Sequence, residues 1–158
     1  MHCKERLQGY LRENEVPFEA QHHPRAVTAQ EVAATEHVPG KMFAKTVMAL
    51  ADEEMVMLVL PAPYHVNPAK AAEALGAANF RLAGEEQFGD AFPDCEVGAM
   101  PPFGNLYDVP VYVDEALVDD ERIVFRAGTH TDTMSVGYAD FERLVEPTVV
   151  EFADPPSA

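Results

Sequence analysis

The sequence predicts a single domain of the α+β class, in which a mixed β-sheet packs against helices. The chain has 158 residues, the size of one ordinary domain, and 47 % of them are apolar, which is enough to bury a core. Segments with helical and strand periodicity alternate irregularly along the chain, which favours a mixed sheet. No internal repeat or long linker divides the sequence, so we assign residues 1–158 to one domain.

Two helices are predicted near the start of the chain. Residues 3–14 have apolar side chains at helical spacing, namely Leu7, Tyr10 and Leu11. Residues 16–18 leave this helix as a short extended piece. Residues 28–31 (TAQE) form a capping box that begins a second, alanine-rich helix, which runs to about His37 and ends at the Val-Pro-Gly that follows it.

A β-hairpin is predicted over residues 44–62. Two apolar runs flank a charged turn at 51–54, and the second run is rich in valine. Along the first strand, Lys45 shares one face with Val47 and Ala49, because side chains alternate between the two faces of a strand. The lysine is therefore expected at the start of its strand, near a loop.

The remaining elements are short. They are a helix capped by Asn67 and ended after Leu75 by Gly76, a strand at 78–82, a short helix at 85–92, a Gly- and Pro-rich loop at 98–110, strands at 111–113, 122–126 and 133–136, and a closing helix at 140–145.

The charge distribution limits the kind of partner. The net charge is −16, and it is concentrated in residues 82–158, where 3 basic residues face 17 acidic ones. Residues 1–81 hold 8 basic and 10 acidic residues. An acidic surface repels nucleic acid, so a nucleic-acid contact is expected to be small and local, and no DNA binding is expected.

Cysteine usage and hydropathy suggest a cytoplasmic protein. Cys3 and Cys95 lie far apart in the sequence, so we expect no disulfide, a reducing environment and a structural role for Cys95. No apolar stretch approaches the length of about 20 residues that a membrane helix needs, and we expect no signal peptide and no membrane partner.

Three segments have residues suited to chemistry. Lys45 offers a positive charge for a phosphate. The loop at 98–104 (GAMPPFG) combines glycines, which allow close backbone approach, with prolines, which stiffen it. The segment at 127–133 (AGTHTDT) places His130 between two strands. Each also has a simpler interpretation, respectively a solvated lysine, an ordinary loop and a surface histidine. His22 and His23 have no further ligands at metal spacing, so no metal is expected.

Together these segments resemble the YbaK/prolyl-tRNA-synthetase-associated editing domain family. The similarity extends over about residues 20–145. The matching segments are HPRAVTAQEVA at 23–33, HVPGKMFAKTVM at 37–48, LVLPA at 58–62, LGA at 75–77, GAMPPFG at 98–104 and AGTHTDT at 127–133.

The resemblance implies a free-standing aminoacyl-tRNA deacylase, a hydrolase of carboxylic esters. Such a protein removes a wrong amino acid from the 3′ end of a tRNA in the cytoplasm, after a synthetase has made the error. The implied fold is an α+β domain with a curved, barrel-like sheet and flanking helices. The implied partner is the acceptor end of aminoacyl-tRNA, with a synthetase considered as a second partner, and no cofactor is implied.

The resemblance also suggests roles for individual residues. Lys45, Gly98 and His130 are the expected catalytic residues. Backbone N–H groups of the 98–104 loop are expected to stabilise the oxyanion, water is the nucleophile, the substrate's ribose hydroxyl assists, and His130 positions the substrate or restricts the pocket rather than acting as a base. The expected substrate-binding residues are Thr28, Pro101, Pro102, Phe103, Gly104, Gly128 and Thr129.

The identity of the substrate stays open between alternatives. The AGTHTDT segment favours a small amino acid such as alanine on the tRNA for proline, and cysteine is the other option. Two other functions stay open, namely a non-catalytic module that binds a tRNA end, a nucleotide or a synthetase, and a hydrolase of another small ester.

Overall fold

The computed structural model describes residues 2–23, 43–96 and 98–156, and it has α+β architecture as predicted. In chain order the elements are α1 (Cys3–Glu13), β1 (Phe18–His22), β2 (Ala44–Ala51), β3 (Glu54–Pro61), β4 (His65–Val66), α2 (Pro68–Leu75), β5 (Phe80–Leu82), α3 (Glu85–Phe88), a 3₁₀ turn (Gly89–Ala91), a second 3₁₀ turn (Gly104–Tyr107), β6 (Val111–Asp114), α4 (Glu115–Val118), β7 (Arg122–Arg126), β8 (Asp132–Gly137), α5 (Tyr138–Val145), β9 (Thr148–Val150) and β10 (Ala153–Asp154).

The strands form three sheets. The largest has the order β5-β2-β3-β6-β9, with antiparallel pairing among β5, β2 and β3 and parallel pairing among β3, β6 and β9. An antiparallel sheet has the order β1-β8-β7, and β4 pairs with β10. Across the described residues these sheets do not close into a barrel, which corrects the barrel-like sheet implied by the resemblance. In place of a continuous ladder between β2 and β7, the described residues show one isolated bridge, which joins Phe43, just before β2, to Val124 of β7.

Strand β3 is buried on both faces and divides the core in two. Met57 and Val59 belong to a cluster that includes Leu7 of α1 and Phe141 of α5. The alternate residues of β3 face a second cluster with Ala71 of α2, and they are Val56, Leu58 and Leu60. Because successive side chains of a strand point to opposite faces, one apolar run supplies both clusters.

The hairpin of β2 and β3 is confirmed. Its turn residues Asp52 and Glu53 both have positive φ, at 51° and 68°, as the twist of a tight hairpin requires. Side chains of β2 alternate as predicted, since Met48 joins the first cluster while Val47 and Ala49 join the second. Lys45 is the second residue of the strand and lies opposite Leu60 of β3.

Helix α2 begins and ends at the predicted residues. The side-chain oxygen of Asn67 accepts hydrogen bonds from the N–H groups of Ala69 and Lys70, and Gly76 ends the helix with φ at 66°. In contrast, the four-residue helix α4 was not predicted, because so short an element has no periodicity to detect. Asp114 caps α4 and also accepts the N–H groups of Phe152 and Ala153, so it joins α4 to the C-terminal segment.

One predicted helix cannot be compared with the structure. The capping box at 28–31, the helix that follows it to His37 and the break at 38–40 lie outside the described residues. None of the described helices has the length and apolar character needed to cross a membrane.

The structure overturns the expectation of no disulfide. Cys3 and Cys95 are joined, with their sulfur atoms 2.14 Å and their Cα atoms 5.0 Å apart. The pairing could not be predicted from the sequence because 92 positions separate the two cysteines. Helix α1 packs back onto the segment before the 98–104 loop, where the Cys3 N–H donates to the Asp94 carbonyl. Cysteine usage therefore no longer supports the expectation of a reducing compartment.

Candidate active site

Lys45 lies half-buried at the start of β2. Burial removes water from its ammonium group and lowers its pKa below the ordinary value of a lysine. Within the described part of the chain, no carboxylate lies within ion-pair distance of its Nζ atom. A cation that has lost part of its hydration and has no acidic neighbour is well suited to meet an anionic ligand.

Gly98 sits in a tight turn beside the histidine. The Ala99 N–H donates to the Glu96 carbonyl across 3.0 Å, and Gly98 at the third position of this turn has φ at 83°, a conformation that favours glycine. A Cβ atom at Gly98 would lie 3.5 Å from Cε1 of His130. The structure thus brings together two of the predicted catalytic residues, Gly98 and His130, from segments far apart in sequence.

The segment 127–133 is held by a dense set of hydrogen bonds. Its Gly128 donates to the Ala99 carbonyl and accepts from the Glu96 N–H, which fastens it to the Gly98 turn. The His130 N–H donates to Oε1 of Glu96 across 2.7 Å. These contacts place the backbone of His130 independently of its ring, so the ring projects from a fixed position.

Asp132 organises the other side of the same segment. Its carboxylate accepts hydrogen bonds from Oγ1 of Thr129 at 2.6 Å and from Nζ of Lys4 at 3.0 Å, and it lies 3.0 Å from Nδ1 of His22. Burial alone would raise the pKa of Asp132, but the contacts with Thr129, His22 and Lys4 outweigh it and lower the pKa to about 2. This carboxylate is therefore engaged with α1 and β1.

A small cleft brings Lys45 and the 98–104 loop together. It has a volume of about 60 Å³ and is lined by Phe43, Ala44, Lys45, Thr46, Gly98, Met100 and Arg126. Two cations line it, and no acidic side chain does so among the described residues.

The structure narrows the backbone donors that the 98–104 loop can offer. The Ala99 N–H is already bonded to Glu96, and the two prolines have no N–H group. Among the residues of this loop, Gly98 and Met100 line the cleft. Gly98 and Met100 are therefore the residues of this loop whose amides are candidates for holding an oxyanion.

Several predicted substrate-binding residues lie elsewhere. Pro101 and Pro102 are buried next to the cleft but do not line it. Phe103 is fully buried and packs against Phe125 and Phe141, which places it in the core instead of at the cleft. A Cβ atom at Gly104 would lie 2.6 Å from the Val109 carbonyl oxygen, so this glycine serves close packing.

Two further predicted residues face a different groove, and one cannot be placed. Gly128 and Thr129 line an open groove of about 480 Å³ together with the disulfide. A Cβ atom at Gly128 would lie 2.7 Å from Cβ of Cys3, so the glycine allows α1 to approach. Thr28 lies outside the described residues, as do Arg25 and Lys41, two basic residues that precede Lys45 in the sequence.

One possible set of metal ligands occurs in the part of the chain that the structure describes. The donor atoms of Cys3, Asp94 and Cys95 lie within 4.8 Å of one another. Two of these donors are the sulfur atoms of the disulfide, which are not thiolates and do not bind a metal strongly. The prediction that the protein uses no metal stays a prediction.

Arg126 is the cleft residue that sequence reasoning missed. It ends the apolar strand β7 and is followed by Ala127 and Gly128, whereas Lys45 lies at the start of β2, so each is a cation at one terminus of an apolar strand. This position at the terminus of an apolar strand is a signal in the sequence that marks Arg126 as it marks Lys45.

Comparison with known proteins decides the family. Residues 23–144 match the family of the aminoacyl-tRNA editing domain, close to the range over which the sequence motifs suggested a resemblance. The chain belongs to this family.

Relatives of this editing domain include proline–tRNA ligases. The domain is 35 % identical over 129 residues to the proline–tRNA ligase of Thiobacillus denitrificans, covering 80 % of the domain and 22 % of the ligase. It is 30 % identical over 138 residues to the proline–tRNA ligase of Leuconostoc citreum, covering 87 % of the domain and 24 % of the ligase. The chain thus spans about a quarter of the length of these ligases.

A solved structure has the same fold at full length. A candidate trans-editing enzyme for prolyl tRNA synthetase superposes on the editing domain with a TM-score of 0.84 at 18 % identity, covering 96 % of this chain and 97 % of the other. At this identity the likeness concerns the fold, and it confirms the predicted α+β class.

Proposed function

We propose that this editing domain is a trans-acting aminoacyl-tRNA deacylase, which hydrolyses the ester of a mischarged tRNA in the cytoplasm. The observation that carries the proposal is the cleft that the partly desolvated Lys45 shares with Gly98 and Met100 of the 98–104 loop. The match to the aminoacyl-tRNA editing domain family supports the reaction class. The proposed tRNA is that for proline, carrying a small wrong amino acid such as alanine or cysteine.

The proposed reaction needs a positioned water and a stabilised oxyanion. Water adds to the ester carbonyl, and the carbonyl oxygen takes the negative charge. The carbon–oxygen bond to the ribose then breaks. The ribose oxygen receives one proton of the water, and the other proton is released to solvent as the amino acid leaves as its carboxylate. In this scheme the amides of Gly98 and Met100 stabilise the oxyanion, and Lys45 holds a phosphate of the acceptor end.

His130 positions the substrate in this proposal. Its ring lies beside Gly98, although His130 is not among the described residues that line the cleft, and in this proposal it limits the size of the amino acid that fits. A general base would be favoured by a carboxylate that orients the ring. The nearest carboxylate in sequence, Asp132, is instead bonded to Thr129, Lys4 and His22, so it is engaged elsewhere and does not serve as that orienting group.

A deacylation assay tests the proposal. The tRNA for proline is charged separately with alanine, cysteine, serine and proline, and the loss of each ester is followed with the wild-type protein and with Lys45→Ala. We expect rapid loss of one small mischarged amino acid, sparing of proline, and a decrease of about 100-fold in the variant, the size seen when one stabilising group is removed from such a site.

Lys70→Ala is the matched control. Lys70 is also a lysine near the start of an element, but it pairs with Glu151 and Asp154 on another surface, and its removal should leave the rate unchanged. If the folded wild-type protein hydrolysed none of the four esters, the proline-editing proposal would be rejected. Tight binding of charged tRNA without hydrolysis would favour the non-catalytic module instead.

A further inference from the structure

We propose that Arg126 binds a backbone phosphate of the tRNA acceptor end together with Lys45. This inference rests on the proposed function and extends it to a residue for which neither the sequence motifs nor the comparisons suggest a role. Arg126 lines the same cleft as Lys45 and Gly98, at the end of β7. The phosphate in question is the one that joins the last two nucleotides, which is the 5′-phosphate of the terminal adenosine.

Strand geometry places the two cations side by side. Phe43 and Val124 form a bridge in which the two chains run parallel. Lys45 and Arg126 each follow a bridge residue by two positions. Since side chains repeat every two residues along a strand, both point to the same side as the bridge pair, on neighbouring strands. The fold thus sets the two cations as a pair.

The arginine is held in a defined direction. Its Nη1 donates to the His130 carbonyl oxygen across 3.1 Å, which ties the guanidinium to the turn beside Gly98. A guanidinium presents five N–H groups in a planar fork, a geometry that suits the oxygens of a phosphate. A side chain that is already fixed loses less freedom when it binds the ligand.

The charge of the cleft favours an anion. Burial lowers the pKa of Arg126 as it does that of Lys45, which means that both cations have lost part of their hydration. Two such cations in one cleft repel each other, and a phosphate between them offsets the repulsion. On a protein with a net charge of −16, this cleft is the kind of small, local contact through which the end of a tRNA can bind.

Two minimal substrates test the phosphate contact directly. One is the alanyl ester of adenosine 5′-monophosphate, and the other is the alanyl ester of adenosine, which lacks the phosphate. We expect the wild-type protein to have a higher kcat/KM for the first. In Arg126→Gln this preference should fall about tenfold, and Arg126→Lys, which keeps the charge, should restore part of it.

Arg122→Gln is the matched control, because Arg122 lies on the same strand but donates to Ser135 outside the cleft. It should keep the full preference for the phosphate. If Arg126→Gln slowed both substrates equally and kept the preference, Arg126 would act only on the His130 turn, and the inference would be overturned.

A binding measurement separates this inference from the proposed function. Adenosine 5′-monophosphate and adenosine are titrated into the folded protein, and binding is followed by NMR chemical shifts. Tighter binding of the monophosphate, lost in Arg126→Gln and kept in Arg122→Gln, would support the phosphate site even if no ester were hydrolysed. Equal binding of the two ligands by the wild-type protein would overturn the inference, whatever the deacylation assay gives.

Discussion

Gly98 and Gly76 adopt similar backbone conformations but differ in what surrounds them. Their φ angles are 83° and 66°, and in both cases a side chain strains the backbone. A Cβ atom at Gly76 would meet nothing within 4 Å, whereas one at Gly98 would fill the space beside the His130 ring. We predict that Gly98→Ala and Gly76→Ala each lose about 1 kcal/mol of stability, and that only Gly98→Ala loses deacylation activity, by about tenfold or more.

Urea unfolding and the deacylation assay, run on both variants, give the two quantities. Gly76→Ala controls for the backbone strain, because this variant strains the backbone at a position that is not next to His130 or the cleft. Equal activity in the two variants would mean that the Gly98 turn does not shape the cleft.

At the residue scale, sequence reasoning found the cation of one strand but not that of the other. Lys45 stood out because its strand belongs to a hairpin whose pattern is local. Arg126 reaches the cleft only through the bridge between Phe43 and Val124, a contact across 81 positions that no local pattern contains. Phe103 and Gly104 belong to a segment that resembles the family, yet both are buried. A residue can therefore be part of a family motif because the fold needs it for packing.

Asp132 joins three elements. It is the first residue of β8, and its carboxylate contacts Lys4 of α1 and His22 of β1. Its pKa of about 2 in the folded protein lies below the ordinary value of 3.8. A lowered pKa contributes stability above the unfolded pKa, and this contribution is lost as the pH falls towards the folded pKa. We predict that Asp132→Asn costs about 2 kcal/mol at pH 6 and that this difference shrinks towards zero between about pH 4 and pH 2.

Urea unfolding at several pH values measures this difference. Asp90→Asn is the control, because Asp90 is exposed in the 3₁₀ turn after α3 and should cost little at any pH. A cost of Asp132→Asn that stayed constant from pH 6 to pH 2 would show that the charge of Asp132 does not stabilise the fold.

The elements that sequence reasoning predicted well have local signals. Helix α2 has its own cap and stop at Asn67 and Gly76, and the hairpin has its own turn. In contrast, β4, β9 and β10 contain only two or three residues and exist because a partner strand lies beside them. The parallel order of β3, β6 and β9 likewise depends on contacts between distant segments, which periodicity does not record.

The disulfide links the first helix to the middle of the chain. A closed loop of this size restricts the unfolded chain, and a native disulfide typically contributes about 2–4 kcal/mol. We predict that a reductant lowers the thermal midpoint by about 10 °C, since a domain of this size loses about 2–4 °C per kcal/mol. Differential scanning calorimetry with and without reductant measures the shift.

The double variant Cys3→Ser/Cys95→Ser is the control. It should unfold at the temperature of the reduced wild-type protein and should not respond to reductant. A wild-type protein whose midpoint ignored the reductant, with its thiols shown to be free by labelling, would contradict a stabilising role for the disulfide.

The order in which the ribosome makes the chain separates the pieces of the cleft in time. Lys45 belongs to a hairpin whose two strands leave the ribosome together and can pair at once. Helix α1 leaves the ribosome before the hairpin, yet its partners Cys95 and Asp132 are made about 90 and 130 residues later. At about 5–20 residues per second, α1 waits about 5 to 25 seconds for them. The cleft, which needs Arg126 as well as Lys45, is therefore completed only after β7 has been made, so a nascent chain cannot act on tRNA before most of the domain exists.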